Sequence, residues 1–192
     1  MENPFKIFEK WYSEQMQLSK ANLPAACCFT TIGNDGYPNS RYVSLKEIKE
    51  ESFVITGPSN SRKGYDIKQY PKVAISFWWR ETQRQIRIQG VAAKINETEA
   101  KKYFDQRNRA SKIVSTVFDQ GMPISSLEQL TERYERGRLK YDHSTINKPN
   151  KWSGWYIRPA RIEFMEFEKT RLHKRTLFEQ RADGWERTYL QP

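Results

Sequence analysis

The sequence is poor in the residues that staple or metallate a small protein: among 192 residues there are two cysteines and two histidines. Cys27 and Cys28 are adjacent, which argues against an ordinary structural disulfide between them, because neighbours rarely reach the required Cβ separation and torsion. No CxxC pair and no His/Cys ligand spacing occurs, so no metal site is expected. No apolar run approaches the about 20 residues of a membrane-spanning helix, and no secretory leader is visible. The reading is a reduced, cytoplasmic protein with no membrane partner. Uninterrupted Lys/Arg runs and nucleic-acid-binding signatures are also missing. The net charge of +10 is spread among acids along the chain, so it suits a small anionic ligand better than DNA or RNA.

What the chain does have is aromatic weight. Phe, Trp and Tyr make up 14% of residues against a total hydrophobic content of 37%, so large rings must fill the interior. Six tryptophans in so polar a chain also suggest that aromatic surface is covered in a subunit interface. The length fits one domain over residues 1–192.

Asn3-Pro4 reads as an N-cap and first helical position, and Phe5, Phe8, Trp11 and Tyr12 recur at helical spacing, predicting a helix over 4–20. The period then becomes that of strands: 25–32, a turn at 34–38, then 40–48 and 52–56. A short helix at 64–69 precedes strands at 73–79 and 85–95. A helical insertion follows at about 98–140, predicted as helices 98–107, 111–119 and 127–140. Residues 142–151 read as a polar, mobile loop. Strands at 156–167, 171–178 and 185–189 complete the chain. Hairpins first, helices in the middle and strands last, without βαβ alternation, predict a mainly β fold with flanking helices, an antiparallel barrel rather than a Rossmann sheet.

Four basic constellations stand out. Arg171, His173 and Arg175 alternate in 170–175, so an extended chain presents all three on one face, either as a cationic anion-binding surface or as a solvated edge strand. Ser59-Asn60-Ser61-Arg62-Lys63-Gly64 lies where a strand gives way to a helix. It forms either a phosphate cradle or an ordinary capped helix. Tyr103, Arg107 and Ser111 fall at i, i+4 and i+8 on one helical face, unless Asn108 interrupts the helix. Arg41 and Lys46, five apart, alternate onto opposite faces of a strand, and only a bulge or a ligand wrapping the strand end brings them together. Gln85, opening a long strand, carries an amide that donates and accepts at once.

Taken in order, the motifs resemble the pyridoxine/pyridoxamine 5'-phosphate oxidase family. They are Asn3-Pro4-Phe5…Trp11, Arg41-Tyr42-Val43-Ser44-Leu45-Lys46, Ser61-Arg62-Lys63, Arg84-Gln85-Ile86-Arg87, Tyr103-Phe104…Arg107…Ser111, Trp152-Ser153-Gly154-Trp155, Ile162-Glu163-Phe164, Arg171-Leu172-His173 and Leu190-Gln191-Pro192. Each is weak alone; their order and spacing span nearly the whole chain. The resemblance implies an antiparallel split β-barrel homodimer binding flavin mononucleotide (FMN) at the subunit interface. It implies that Arg41, Lys46, Ser61, Arg62 and Lys63 hold the flavin's phosphate and ribityl chain, with Gln85, Gln120 and Arg175 around the flavin. Lys46, Tyr103, Arg107 and Ser111 would bind a substrate phosphate, and Arg171 and His173 would sit over the pyridine ring as the catalytic pair. The implied reaction oxidises pyridoxamine or pyridoxine 5'-phosphate to pyridoxal 5'-phosphate with dioxygen as acceptor, giving hydrogen peroxide.

The chain departs from the family pattern at four places. It begins almost at the first helix, so the family's covering arm is expected to be missing. Met165 stands where a tryptophan is usual, Lys174 where an acid is usual, and Gly121 where a serine is common. These departures leave two other readings: a related oxidase of the phenazine-biosynthesis type, or a non-catalytic flavin or pyridoxal-phosphate carrier.

Overall fold

Asn3 starts the first element as its residue type predicts, its side-chain oxygen accepting the Phe5 N–H at 2.8 Å, with Pro4 at the first helical position. The computed structural model describes residues 2–23 and 25–192. Helix α1 (Pro4–Leu18) ends two residues short of the predicted stop, and its inward stripe is Phe5, Phe8, Trp11 and Gln15. Phe8 packs between Phe53, Phe77 and Trp79 with ring centroids 5.0, 5.3 and 6.0 Å away. Burying one such ring contributes about 2–3 kcal/mol.

The strands are β1 (Ala26–Ile32), β2 (Pro38–Lys49), β3 (Ser52–Pro58), β4 (Lys72–Trp79), β5 (Arg84–Lys94), β6 (Trp152–Glu166), β7 (Lys174–Arg181) and β8 (Gly184–Leu190). They pair in the order β3-β2-β1-β4-β5-β6-β7-β8, and β3 also pairs with β6. That last pairing closes the first six into a barrel and leaves β7-β8 as a hairpin extending from β6. All pairings are antiparallel. Alternation along β4 and β5 sends Phe77, Ile86 and Ile88 inward to meet the stripe of α1.

Helix α2 (Arg62–Gln69) follows β3; α3 (Glu97–Asp105), α4 (Arg109–Val117) and α5 (Leu127–Lys140) separate β5 from β6. The last three cover the barrel through a second core in which Phe104 meets Trp152 edge-on at 5.2 Å. The loop expected to be mobile is anchored: Ile146 is buried, and Lys148 reaches the Trp152 carbonyl at 3.1 Å and Glu97 at 2.8 Å. Among the described residues no helix is long and apolar enough to cross a membrane.

Two local expectations are overturned. The last basic segment is not a strand from 171: β7 begins at Lys174, and Arg171 sits in the left-handed region at φ 68° in the bend before it. The simple alternation of Arg171 and His173 is therefore broken. Tyr103, Arg107 and Ser111 do not share one helix, because α3 stops at Asp105 and Asn108 caps a new one, accepting the Ser111 N–H at 2.8 Å. The opposite faces expected for Arg41 and Lys46 are kept: β2 carries a bulge that takes in Lys46 and Glu47, between Leu45 and Ile48, yet Lys46 lines the cavity described below and Arg41 does not.

Candidate active site

A cavity of about 750 Å³ opens between the barrel wall and the inserted helices, within the size range of small-molecule sites. Its floor is Tyr42 to Ser44 and Lys46 of β2 and Thr56 to Pro58 of β3; its roof comes from α4, α5 and the segment 118–124. Lys46, Lys63, Arg107 and Arg133 bring four cations to the lining against one carboxylate, Asp119. That carboxylate is committed to Lys151 and to the Asn60 amide, at 2.8 and 2.9 Å.

Lys63 is the most constrained of these groups. The turn after β3 places it in the first turn of α2, and Ser61 fixes that turn by donating to the Pro58 carbonyl at 2.7 Å. No side chain caps the helix. Lys63 is only 6% exposed, and its ammonium donates to Ser61 Oγ at 2.9 Å and Gln120 Oε1 at 2.6 Å, both neutral. Gly57 makes room for its stem, since a Cβ there would lie 3.0 Å from Lys63 Cε. Burial, with Arg41 nearby, pushes Lys63 down from 10.5 to about 8. A buried ammonium with neutral partners alone is incompletely compensated, and an anionic group would complete it.

Lys46 and Arg107 form a second cationic pair. Burial lowers both, and the Arg107 charge lowers Lys46 further. Arg107 lies over the Trp152 ring at 5.3 Å and donates to the Ser111 carbonyl and Ser115 Oγ, each at 3.2 Å. Three lining residues, Thr56, Arg107 and Trp152, carry buried polar atoms without a partner: Oγ1, Nε and Nε1. Such orphaned groups fit a polar ligand.

The other sequence-derived candidates lie off the lining. Arg41 is held by the Phe29 carbonyl, Thr31 Oγ1 and Asp66, at 3.3, 2.7 and 3.8 Å, and stands beside Lys63 as a neighbouring charge. Arg62 turns outward to Asp35 at 3.0 Å. Tyr103 donates its hydroxyl to Glu47. Gln85, Met165 and Arg175 form one row across β5, β6 and β7. Arg175 is fixed there by Glu163 at 2.8 Å, a buried carboxylate that Arg87 also reaches at 3.0 Å. Next to the row, His173 Nδ1 accepts the Glu168 N–H at 3.0 Å and its ring lies 4.8 Å from Phe167. The candidates thus form two groups within one chain: Lys46, Lys63, Arg107 and Gln120 at the cavity, and Gln85, Arg171, His173 and Arg175 away from it. Sequence reasoning missed two lining residues, Thr56 and Arg133, and the Glu47 partner of Tyr103. Only Trp152, inside the Trp-Ser-Gly-Trp motif, had a signal.

The fold and the cationic cavity define the class, a split-barrel protein with a site for an anionic ligand. Among solved structures the chain superimposes on PhzG from Burkholderia lata in complex with tetrahydrophenazine-1-carboxylic acid, with a TM-score of 0.92, 24% identity, and coverage of 100% of this chain and 94% of that one. It also superimposes on a pyridoxamine 5'-phosphate oxidase-related, FMN binding protein from Nostoc punctiforme, with a TM-score of 0.80, 15% identity and coverage of 100% and 98%. Residues 17–141 match the family model described as pyridoxamine 5'-phosphate oxidase. Residues 152–192 match the pyridoxine 5'-phosphate oxidase C-terminal dimerisation region. The pyridoxine/pyridoxamine 5'-phosphate oxidase of Sphingopyxis alaskensis is 36% identical over 100% of this chain and 88% of its own length. That of Trichormus variabilis is 37% identical over 99% and 89%. The chain belongs to the pyridoxamine 5'-phosphate oxidase family, a family of FMN-dependent oxidoreductases.

Proposed function

We propose that this protein is a cytoplasmic, homodimeric FMN-dependent oxidase that converts pyridoxamine or pyridoxine 5'-phosphate to pyridoxal 5'-phosphate, passing the electrons to dioxygen as hydrogen peroxide. The observation that carries the reading is Lys63, a buried ammonium with only neutral partners in a cationic cavity. The residues fit FMN: Lys63 and Gln120 would take its phosphate end, with the orphaned Thr56 hydroxyl within the same lining. Lys46 and Arg107 would take the substrate phosphate. When bound, FMN supplies the two-electron acceptor.

The row Gln85–Met165–Arg175 and the Arg171/His173 bend belong to the other half of the site, which a second copy would supply. The match of 152–192 to a dimerisation region supports that arrangement. In it, Arg171 would orient the substrate ring and balance charge as it develops, while His173 is held by the Glu168 N–H at a fixed ring angle. Glu163 keeps Arg175 in place between β6 and β7. The free thiols of Cys27 and Cys28 accord with a reducing compartment. One observation favours a second reading, a substrate with a carboxylate instead of a phosphate. Tyr103 is committed to Glu47, leaving two cations, enough for a monoanion.

Steady-state assays with pyridoxamine 5'-phosphate, pyridoxine 5'-phosphate and tetrahydrophenazine-1-carboxylic acid test this. One aldehyde and one peroxide per phosphorylated substrate consumed is the expected result; turnover of the carboxylic acid alone would overturn it. Arg171→Ala should keep FMN bound yet slow flavin reduction by about a hundredfold, read by stopped-flow absorbance.

Lys63 also sets a pH dependence. In the free protein it is protonated below about 8, and a bound phosphate would raise that value. FMN affinity should be flat between about pH 7 and 8, where the phosphate is already a dianion, and fall by about tenfold by pH 9.5, read by fluorescence titration. The same shift acts on folding in the opposite sense. Between about 8 and 10.5 the unfolded chain holds more protons at Lys63, so this group's contribution makes the ligand-free protein more stable as pH rises through that window.

A further inference from the structure

The bulge on β2 turns two consecutive residues, Lys46 and Glu47, toward the exterior, so the cation that lines the cavity is followed at once by a carboxylate. Glu47 reaches Tyr103 on α3 and accepts its hydroxyl proton. Tyr103 is 6% exposed, so few other orientations are open to that hydroxyl. The groups around the pair do not neutralise Glu47: Lys49 is committed to Glu99, which also accepts the Tyr156 hydroxyl. Among the described residues Glu47 has no ion-pair partner. A phenol has one proton to give. While Glu47 holds it, Tyr103 offers an incoming phosphate only lone pairs, next to a like charge.

We propose that Glu47 is a specificity-determining residue that competes with the substrate's phosphate for the Tyr103 hydroxyl. The proposal rests on the reading of Lys46 and Arg107 as a phosphate subsite and adds Tyr103, held off the cavity lining by Glu47, as its third donor. A phosphate dianion must displace Glu47 before it gains its third donor, whereas a less charged group is satisfied by Lys46 and Arg107 alone. Glu47 thus narrows the advantage of phosphorylated over unphosphorylated ligands.

The test is a double-mutant cycle on flavin-loaded protein: wild type, Glu47→Ala, Tyr103→Phe and the double variant, each titrated with pyridoxal 5'-phosphate and with pyridoxal. Glu47→Ala should tighten pyridoxal 5'-phosphate by about fivefold to tenfold and leave pyridoxal unchanged. Tyr103→Phe should matter less than about twofold alone, yet erase the gain in the Glu47→Ala background. A general structural role for Glu47 would move both ligands together and give no such coupling. Unchanged or weaker phosphate binding in Glu47→Ala, or an equal Tyr103→Phe effect in both backgrounds, would overturn the proposal while leaving the phosphate subsite standing. If all four proteins bound the two ligands equally, the subsite assignment would fall with it. Equilibrium binding is read without turnover, so the result does not depend on the oxidase activity.

Discussion

Replacing Lys63 with methionine should weaken FMN binding by about a hundredfold while the protein still folds. Methionine keeps most of the stem that packs beside Gly57 and removes only the charge, so packing loss is small. On the proposed reading the loss is a buried, charge-assisted hydrogen bond to the flavin phosphate, and truncating one side of such a pair costs about 2–5 kcal/mol. The ligand-free protein should move the other way. Its ammonium has only Ser61 and Gln120 as partners, so deleting it removes a desolvation penalty and should raise Tm by a few degrees. Opposite signs for affinity and apoprotein stability mark a residue kept for a ligand. Affinity within about threefold of wild type would remove Lys63 from the cofactor site.

Gly90→Ala should cost about 3 kcal/mol or more and lower Tm by about 6–12 °C. The register between β5 and β6 shifts between Gln89 and Gly90, and β6 bends in against the glycine. An added Cβ would stand 2.4 Å from the Arg158 carbonyl oxygen and 2.9 Å from Pro159 Cα, both backbone, so no rotamer change relieves it. The consequence reaches function because β5 and β6 carry Gln85, Arg87 and Glu163, which set the row that ends at Arg175. Thermal unfolding with and without FMN measures the loss.

What the sequence disclosed follows the range of the forces involved. The setting of Ser61-Arg62-Lys63 was legible because a strand break followed by a helix start is local, and Lys63 is buried in that turn. Even there, local reasoning ranked Arg62 with Lys63, and only the fold turns Arg62 out to Asp35. The alternating face of Arg171, His173 and Arg175 failed because a left-handed arginine is imposed by the bend between β6 and β7, and its own residue type gives no sign of it. The alignment of Tyr103, Arg107 and Ser111 failed at Asn108, whose capping tendency outweighed the helical spacing on either side. Barrel closure by β3 and β6, and the row from Gln85 to Arg175, depend on strand register, a non-local property. The contact of Glu47 was invisible for the same reason: a bulge and a partner 56 positions away bring it to the Tyr103 hydroxyl.

The most direct test of the central claim is a single anaerobic mixing of flavin-loaded protein with pyridoxamine 5'-phosphate, following the visible absorbance of the flavin. The account predicts bleaching with one equivalent of substrate, release of pyridoxal 5'-phosphate, and return of the yellow colour with peroxide when air is admitted. A flavin that stays yellow under excess pyridoxamine and pyridoxine 5'-phosphate would contradict it.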